Sequence, residues 1–265
     1  MTAVAALPTL FVSHGSPVHA LVPGEAGAAW QRLAARLPRP RAVLAVSAHW
    51  ETGLPMIASA ARHTTIHDFS GFPAPLYDLR YDAPGAPDVA REVAALLAAA
   101  GYVPALNGCR GLDHGAWVPL RWMYPGIDVP VLQLSVQTAL GPAHHLQIGE
   151  ALAPLARAGV LVLGSGHVTH NLRDWMRHHA DPEPLPYARA FADWLADALT
   201  AGDRAALVDY RARAPDAARA HPTEEHLLPL YVALGAAGAG ARAERVHAAV
   251  EGGALAMDAW LFEPA

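Results

Sequence analysis

Lysine is absent from the sequence and cysteine occurs once, at Cys109. A lone cysteine excludes an intramolecular disulfide and any zinc or iron–sulfur site built from several thiolates, so a bound metal must be held by His, Asp or Glu, and a reducing cytoplasm is the expected compartment. Charge is also scarce: 16% of residues are charged, the net charge is −5, and no block of like charges occurs. That pattern lacks the clustered basic footprint of a nucleic-acid-binding protein, so no nucleic-acid partner is expected. No stretch approaches the ~20 apolar residues of a membrane span, and Met1 to Leu10 lack the basic start and long apolar core of a signal peptide. A soluble protein without a membrane partner is expected.

What is abundant is apolar sequence and histidine. With 53% hydrophobic residues over 265 positions, the chain can bury a substantial core, and residues 1–265 are read as a single domain. Short runs rich in Val, Leu and Ile at Pro8 to Val12, Ala42 to Ser47, Val129 to Val136 and Val160 to Leu163 predict buried strands. Between them, Ala26 to Leu37, Pro87 to Ala100, Pro142 to Ala158 and Tyr187 to Leu199 carry apolar residues at three- and four-residue spacing, which predicts helices. Alternation of the two implies an α/β fold with a central mixed, largely parallel sheet flanked by helices. Arg245 to Phe262, with Gly252 and Gly253 in its middle, reads as a closing hairpin. Asp181 to Pro186 reads as a Pro-rich loop.

The fifteen histidines direct the search for chemistry. His14 follows the first strand and opens a Gly-Ser-Pro turn, His49 follows the second and precedes Trp50, and His167 and His170 follow the strand ending at Leu163. A single such histidine is ordinarily a turn residue, but repetition at strand ends changes the reading, because ligands in open α/β sheets bind outside the carboxyl ends of the strands. Thr223 reads as a helix N-cap, with Glu224 and Glu225 suiting a helix N-terminus and His226 in its first turn. Neutral imidazole is a favoured ligand of zinc and iron, and catalytic sites use about three protein ligands. Four histidine segments therefore suffice for three ligands and one acid/base group. His67, in Ile66-His67-Asp68-Phe69, and His114, in Asp113-His114-Gly115-Ala116-Trp117, each adjoin an aspartate, which suits substrate binding, support of a ligating histidine, or simple loop stabilisation. His19, His63, His144, His145, His178, His179 and His247 are read as surface residues.

Six ordered motifs, His14-Gly15-Ser16-Pro17, Ser47-Ala48-His49-Trp50, Ile66-His67-Asp68-Phe69, Asp113-His114-Gly115, His170-Asn171-Leu172 and Glu225-His226-Leu227-Leu228-Pro229-Leu230, resemble the class III extradiol ring-cleavage dioxygenases, in their 4,5-DOPA dioxygenase branch. The resemblance runs from about Pro8 to Phe262. It implies one divalent metal per chain, Fe(II) for dioxygenase activity or Zn(II), held by His14, His49 and His226, with His170 as acid/base catalyst or further ligand. It further implies catalysis by His170 and His114 and a substrate pocket around His67, His114 and Trp117. The implied partners are a small aromatic diol and O₂, and a monomer or homodimer is expected. Two other readings use the same residues: a zinc hydrolase on the same histidines, and a tetrapyrrole metal chelatase, which explains only the first motif.

Overall fold

The computed structural model describes residues 6–180 and 183–265. Asp181 and Pro182 of the expected Pro-rich loop, and Met1 to Ala5, lie outside the described residues. Among the described residues ten strands form: β1 (Thr9–Ser13), β2 (Ala42–Glu51), β3 (Met56–Ala58), β4 (Ala105–Asn107), β5 (Val131–Val136), β6 (Val160–Gly166), β7 (Arg242–His247), β8 (Val250–Glu251), β9 (Leu255–Ala256) and β10 (Ala259–Glu263). Eight make one sheet in the order β4-β3-β5-β2-β6-β1-β10-β7. The central strands β5, β2, β6 and β1 are mutually parallel, whereas β10 runs antiparallel to β1 and β7 antiparallel to β10. The expected mixed, largely parallel sheet is therefore what forms.

Strand periodicity separates two apolar layers. Ala42, Leu44 and Val46 of β2 join a core shared with the helices Pro87–Ala99, Gly141–Leu152, Pro186–Ala201 and Leu228–Ala236. Val43 and Ala45 face the opposite core, filled by Trp30 and Leu33 of the helix Gly24–Arg36 and by Trp117 and Leu120 of the helix His114–Met123. Each buried Val or Leu side chain among them contributes about 1.5–3 kcal/mol relative to exposure.

Several local expectations change. The helix expected over Pro142 to Ala158 ends at Leu152, and a separate turn of helix starts at Pro154, whose ring cannot continue the ladder. Strands β3 and β4 are too short to show as apolar runs. The helix His114–Met123 was hidden by its internal Pro119, although Asp113 caps it by accepting from the Ala116 N–H. Thr223 is not an N-cap: the helix begins at Leu228, because Pro229 fits its first turn, and Thr223 donates instead to Glu225. The C-terminal hairpin starts earlier, at Arg242, and the segment with Gly252 and Gly253 forms its own small sheet of β8 and β9. His19, His63 and His145 are buried rather than on the surface, each with a ring nitrogen hydrogen-bonded to a main-chain oxygen.

The strand ends carry the consequence. β2 pairs regularly with β6 as far as Ser47, and with β5 as far as Val46; its register with β5 then shifts before Glu51 meets Val136. His49 thus lies inside an extended but bulged stretch of strand rather than beyond it. Such a bulge re-aims side chains at the sheet rim.

Beneath this rim, fully buried Asp113 accepts from Ser47 Oγ (2.7 Å), Gln133 Nε2 (2.8 Å) and Arg110 Nη2 (2.9 Å), and Arg110 also donates to the His49 carbonyl (3.2 Å). One carboxylate therefore ties the end of β2, β5 and the helix His114–Met123 together. Asp113→Ala is expected to lower the unfolding free energy by about 3–5 kcal/mol, since it strands a guanidinium and two polar groups without their partner. Urea denaturation reads this as a lower midpoint, and an unchanged midpoint would remove the network from the account of stability.

Candidate metal and active site

His14, immediately after β1, is buried, and its Nε2 lies 3.0 Å from Nε2 of half-buried His49. His226, in the turn before Leu228–Ala236, brings its ring centroid to 5.5 Å from that of His14 and 4.9 Å from that of His49. One ring nitrogen from each of the three falls within 4.8 Å of the others. Glycines permit this approach: a Cβ on Gly166 would collide with the His226 carbonyl, which instead accepts the His167 N–H at 2.8 Å. A Cβ on Gly115 would press on Ser47 and come within 3.1 Å of His49 and 3.3 Å of His14.

Hydrogen bonding decides which nitrogen each ring presents. Ser165 Oγ donates to the Gly115 carbonyl, so it accepts from His14 Nδ1 (3.1 Å), and the lone pair of His14 sits on Nε2. Glu225 Oε1 accepts from His226 Nδ1 at 2.9 Å, leaving His226 Nε2 buried with no partner. A carboxylate holding Nδ1–H while Nε2 faces inward is the usual arrangement of a metal-ligating histidine. Burial first, and then the neighbouring histidines, push the pKa of His14 and of His226 well below the ordinary value, and burial with His114 lowers His49 to about 4. All three are uncharged at neutral pH, the form in which imidazole binds a metal. Nitrogens about 3 Å apart suit neighbouring ligands of a cation with bonds of ~2.0–2.1 Å. The donor set fits a divalent metal ion.

The other candidates surround these three. His170 stacks on His226, with centroids 3.4 Å apart and planes at 13°, but it is not one of the three whose donor atoms converge; its own close group is Glu225 and His226. Burial, then the charges of His221, His49 and His114, lowers its pKa to about 3. His167, which follows the same strand as His170, is buried and accepts the Gly15 N–H at Nε2 (3.1 Å). His114 packs 4.0 Å from His49 and 5.2 Å from His14. His67 and Trp117 stand further back: their rings are 5.9 Å apart, His67 Nε2 donates to the Leu79 carbonyl, and fully buried Trp117 donates to the Ile66 carbonyl. Phe69 lies between this aromatic group and His114, 5.8 Å from the latter. Sequence pattern alone missed Ser165, which carries no motif, and left the partner of each aspartate unassigned.

Fold and site together define an α/β protein whose sheet rim gathers uncharged histidines able to hold a metal ion. Comparison with known proteins narrows this class. Residues 8–254 match the family described as the catalytic LigB subunit of aromatic ring-opening dioxygenase. The 4,5-DOPA dioxygenase extradiol of Beta vulgaris is 43% identical over 258 residues, covering 96% of both chains. The Escherichia coli K12 protein of the same description is 39% identical over 235 residues, covering 87% of this chain and 85% of that one. A crystal structure of an uncharacterized protein from Escherichia coli K12 superposes with a TM-score of 0.79 at 32% identity, covering 96% of this chain and 99% of that one. The chain belongs to this family of aromatic ring-opening dioxygenases. Nothing in these relationships favours the hydrolase or chelatase readings. Among the described residues no helix is long and apolar enough to cross a membrane.

Proposed function

We propose that this extradiol dioxygenase opens the ring of a catechol bearing an anionic side chain, DOPA being the example named among its relatives, at a site where His14, His49 and His226 hold iron(II). The observation that carries the reading is the convergence of three uncharged, inward-facing imidazole nitrogens at the carboxyl ends of β1 and β2 and the foot of the helix Leu228–Ala236. Iron(II) bound there would ligate the adjacent catechol oxygens and O₂ and relay electrons between them, which redox-inert zinc(II) does not do.

The protein supplies the rest. Both oxygen atoms of O₂ enter the semialdehyde product, so no external reductant is needed, but protons must move. His170, uncharged at rest, first takes a proton from a substrate hydroxyl and later returns it as the ring opens, the two directions of acid/base catalysis in one residue. Its position outside the converging three supports an acid/base role over a ligand role. His67 and Trp117 shape the wall of the substrate pocket through Phe69.

A cleft of about 510 Å³ opens beside His170 and is also lined by Arg173, Arg219, Pro222 and Thr223. Arg219 is engaged by Asp174 at 2.8 Å and covers the Tyr187 ring, whereas Arg173 makes no ion pair among the described residues. A cation at the mouth supports an anionic substituent on the substrate. Arg173→Gln is expected to raise KM about five-fold for 3,4-dihydroxyphenyl carboxylates and to leave 4-methylcatechol unaffected, the scale of one partly solvated charged hydrogen bond. Equal effects on both substrates would detach Arg173 from recognition.

The deciding experiment for the reading as a whole is anaerobic reconstitution with Fe(II), followed by catechols and air, recording O₂ uptake and visible absorbance. A yellow semialdehyde with one O₂ consumed per catechol is expected from the iron protein and not from the zinc protein. No uptake with any catechol, despite one bound metal per chain, would overturn it.

A further inference from the structure

Asp68 is not one of the three proposed ligands; it forms a second close group with His49 and His114, and its hydrogen bonds go to His114. Its Oδ1 accepts the main-chain N–H of His114 at 2.8 Å, and its Oδ2 faces Nδ1 of the same histidine at 2.9 Å. His49 Nδ1 is further away, at 3.8 Å. The segment carrying Asp68 is clamped on both sides: the Ile66 N–H donates to the Leu112 carbonyl, Trp117 donates to the Ile66 carbonyl, and Thr65 donates twice to Asp82. Oδ1 accepts from a main-chain N–H, and with the carboxylate accepting at both oxygens His114 Nδ1 is the donor to Oδ2. Nε2, the ring's remaining nitrogen, is then its acceptor and makes no hydrogen bond among the described residues.

We infer that Asp68 is a positioning residue, locking His114 in the Nδ1–H tautomer so that Nε2 is offered as a hydrogen-bond acceptor to a hydroxyl of the aromatic diol. The inference rests on the proposed ring-opening function for its substrate, but not for the tautomer itself. One carboxylate gripping both the main chain and the ring of a residue leaves that ring little freedom of rotation or protonation site. A cap for the helix His114–Met123 needs no such second grip, and Asp113 already caps it.

Asp68→Asn is nearly isosteric and separates the possibilities. If the amide oxygen keeps the main-chain N–H, its NH₂ group faces Nδ1 and forces the opposite tautomer. In zinc-loaded protein with ¹⁵N-labelled histidine, the wild type is expected to show Nδ1 protonated on His114, and Asp68→Asn to show Nε2 protonated, with metal content unchanged. In the iron enzyme kcat is expected to fall about a hundred-fold, in the range of a lost acid/base partner, with KM changing little. The same substitution in a His114→Ala background should have no further effect on kcat, since the two act as one unit. An Nε2–H tautomer in the wild type overturns the inference whether or not the variant folds. So does metal loss in proportion to lost turnover, which would make Asp68 a ligand, or an additive effect in the His114→Ala background. Absence of ring cleavage by an enzyme with the expected tautomers would instead strike the proposed function alone.

Discussion

Replacing His49 by alanine is expected to abolish oxygen uptake with every catechol and to weaken metal binding by about a hundred-fold or more. A tetrahedral zinc site of four ligands binds with about 10–16 kcal/mol, so one ligand contributes on the order of 3 kcal/mol. His49 presents Nε2 to Nε2 of His14 at 3.0 Å on the bulged end of β2, and truncation removes one of the three converging donors without touching the core below. His67→Ala is the matched control. It also removes an imidazole from the same half of the molecule, but one whose hydrogen bond goes to the Leu79 carbonyl. Metal analysis after dialysis should find His67→Ala loaded and His49→Ala depleted. Full occupancy in His49→Ala, with more than a tenth of the activity retained, would remove it from the ligand set.

The second large effect separates chemistry from ligation. His170→Ala is expected to keep most of its metal, because His14, His49 and His226 are left in place, and to lose about 10²–10⁴-fold in kcat, the usual contribution of an acid/base group. His170 stacks flat on His226, so some loosening of that ring is expected. Metal affinity should fall by no more than about ten-fold, at the low end for residues that support a ligand. Metal analysis alongside single-turnover oxygen consumption tells the two roles apart. Loss of metal matching that in His14→Ala would make His170 a fourth ligand.

Much of this was legible beforehand. The apolar runs that became β1, β2, β5 and β6 are fully buried and lack polar alternation, so they announce a sheet covered on both faces by helices. Histidines at or near the ends of those runs pointed to the rim. The unread parts have particular causes. Pro119 disguised a helix, and Pro229 moved the start of another past His226. His19, His63 and His145 looked like surface residues because nothing local reveals that a distant segment folds over them.

The sequence by itself determined the fold class, the absence of thiolate ligands and the candidate histidines, because hydrophobic period and residue chemistry are local properties of the chain. The tertiary structure alone decided which candidates meet and which nitrogen each presents. Ser165 sets the tautomer of His14, Asp68 that of His114, and Gly166 the depth at which His226 can sit. Such decisions rest on contacts between segments remote in sequence, brought together only when parallel strands align their carboxyl ends on one edge of the sheet. No periodicity along the chain records them.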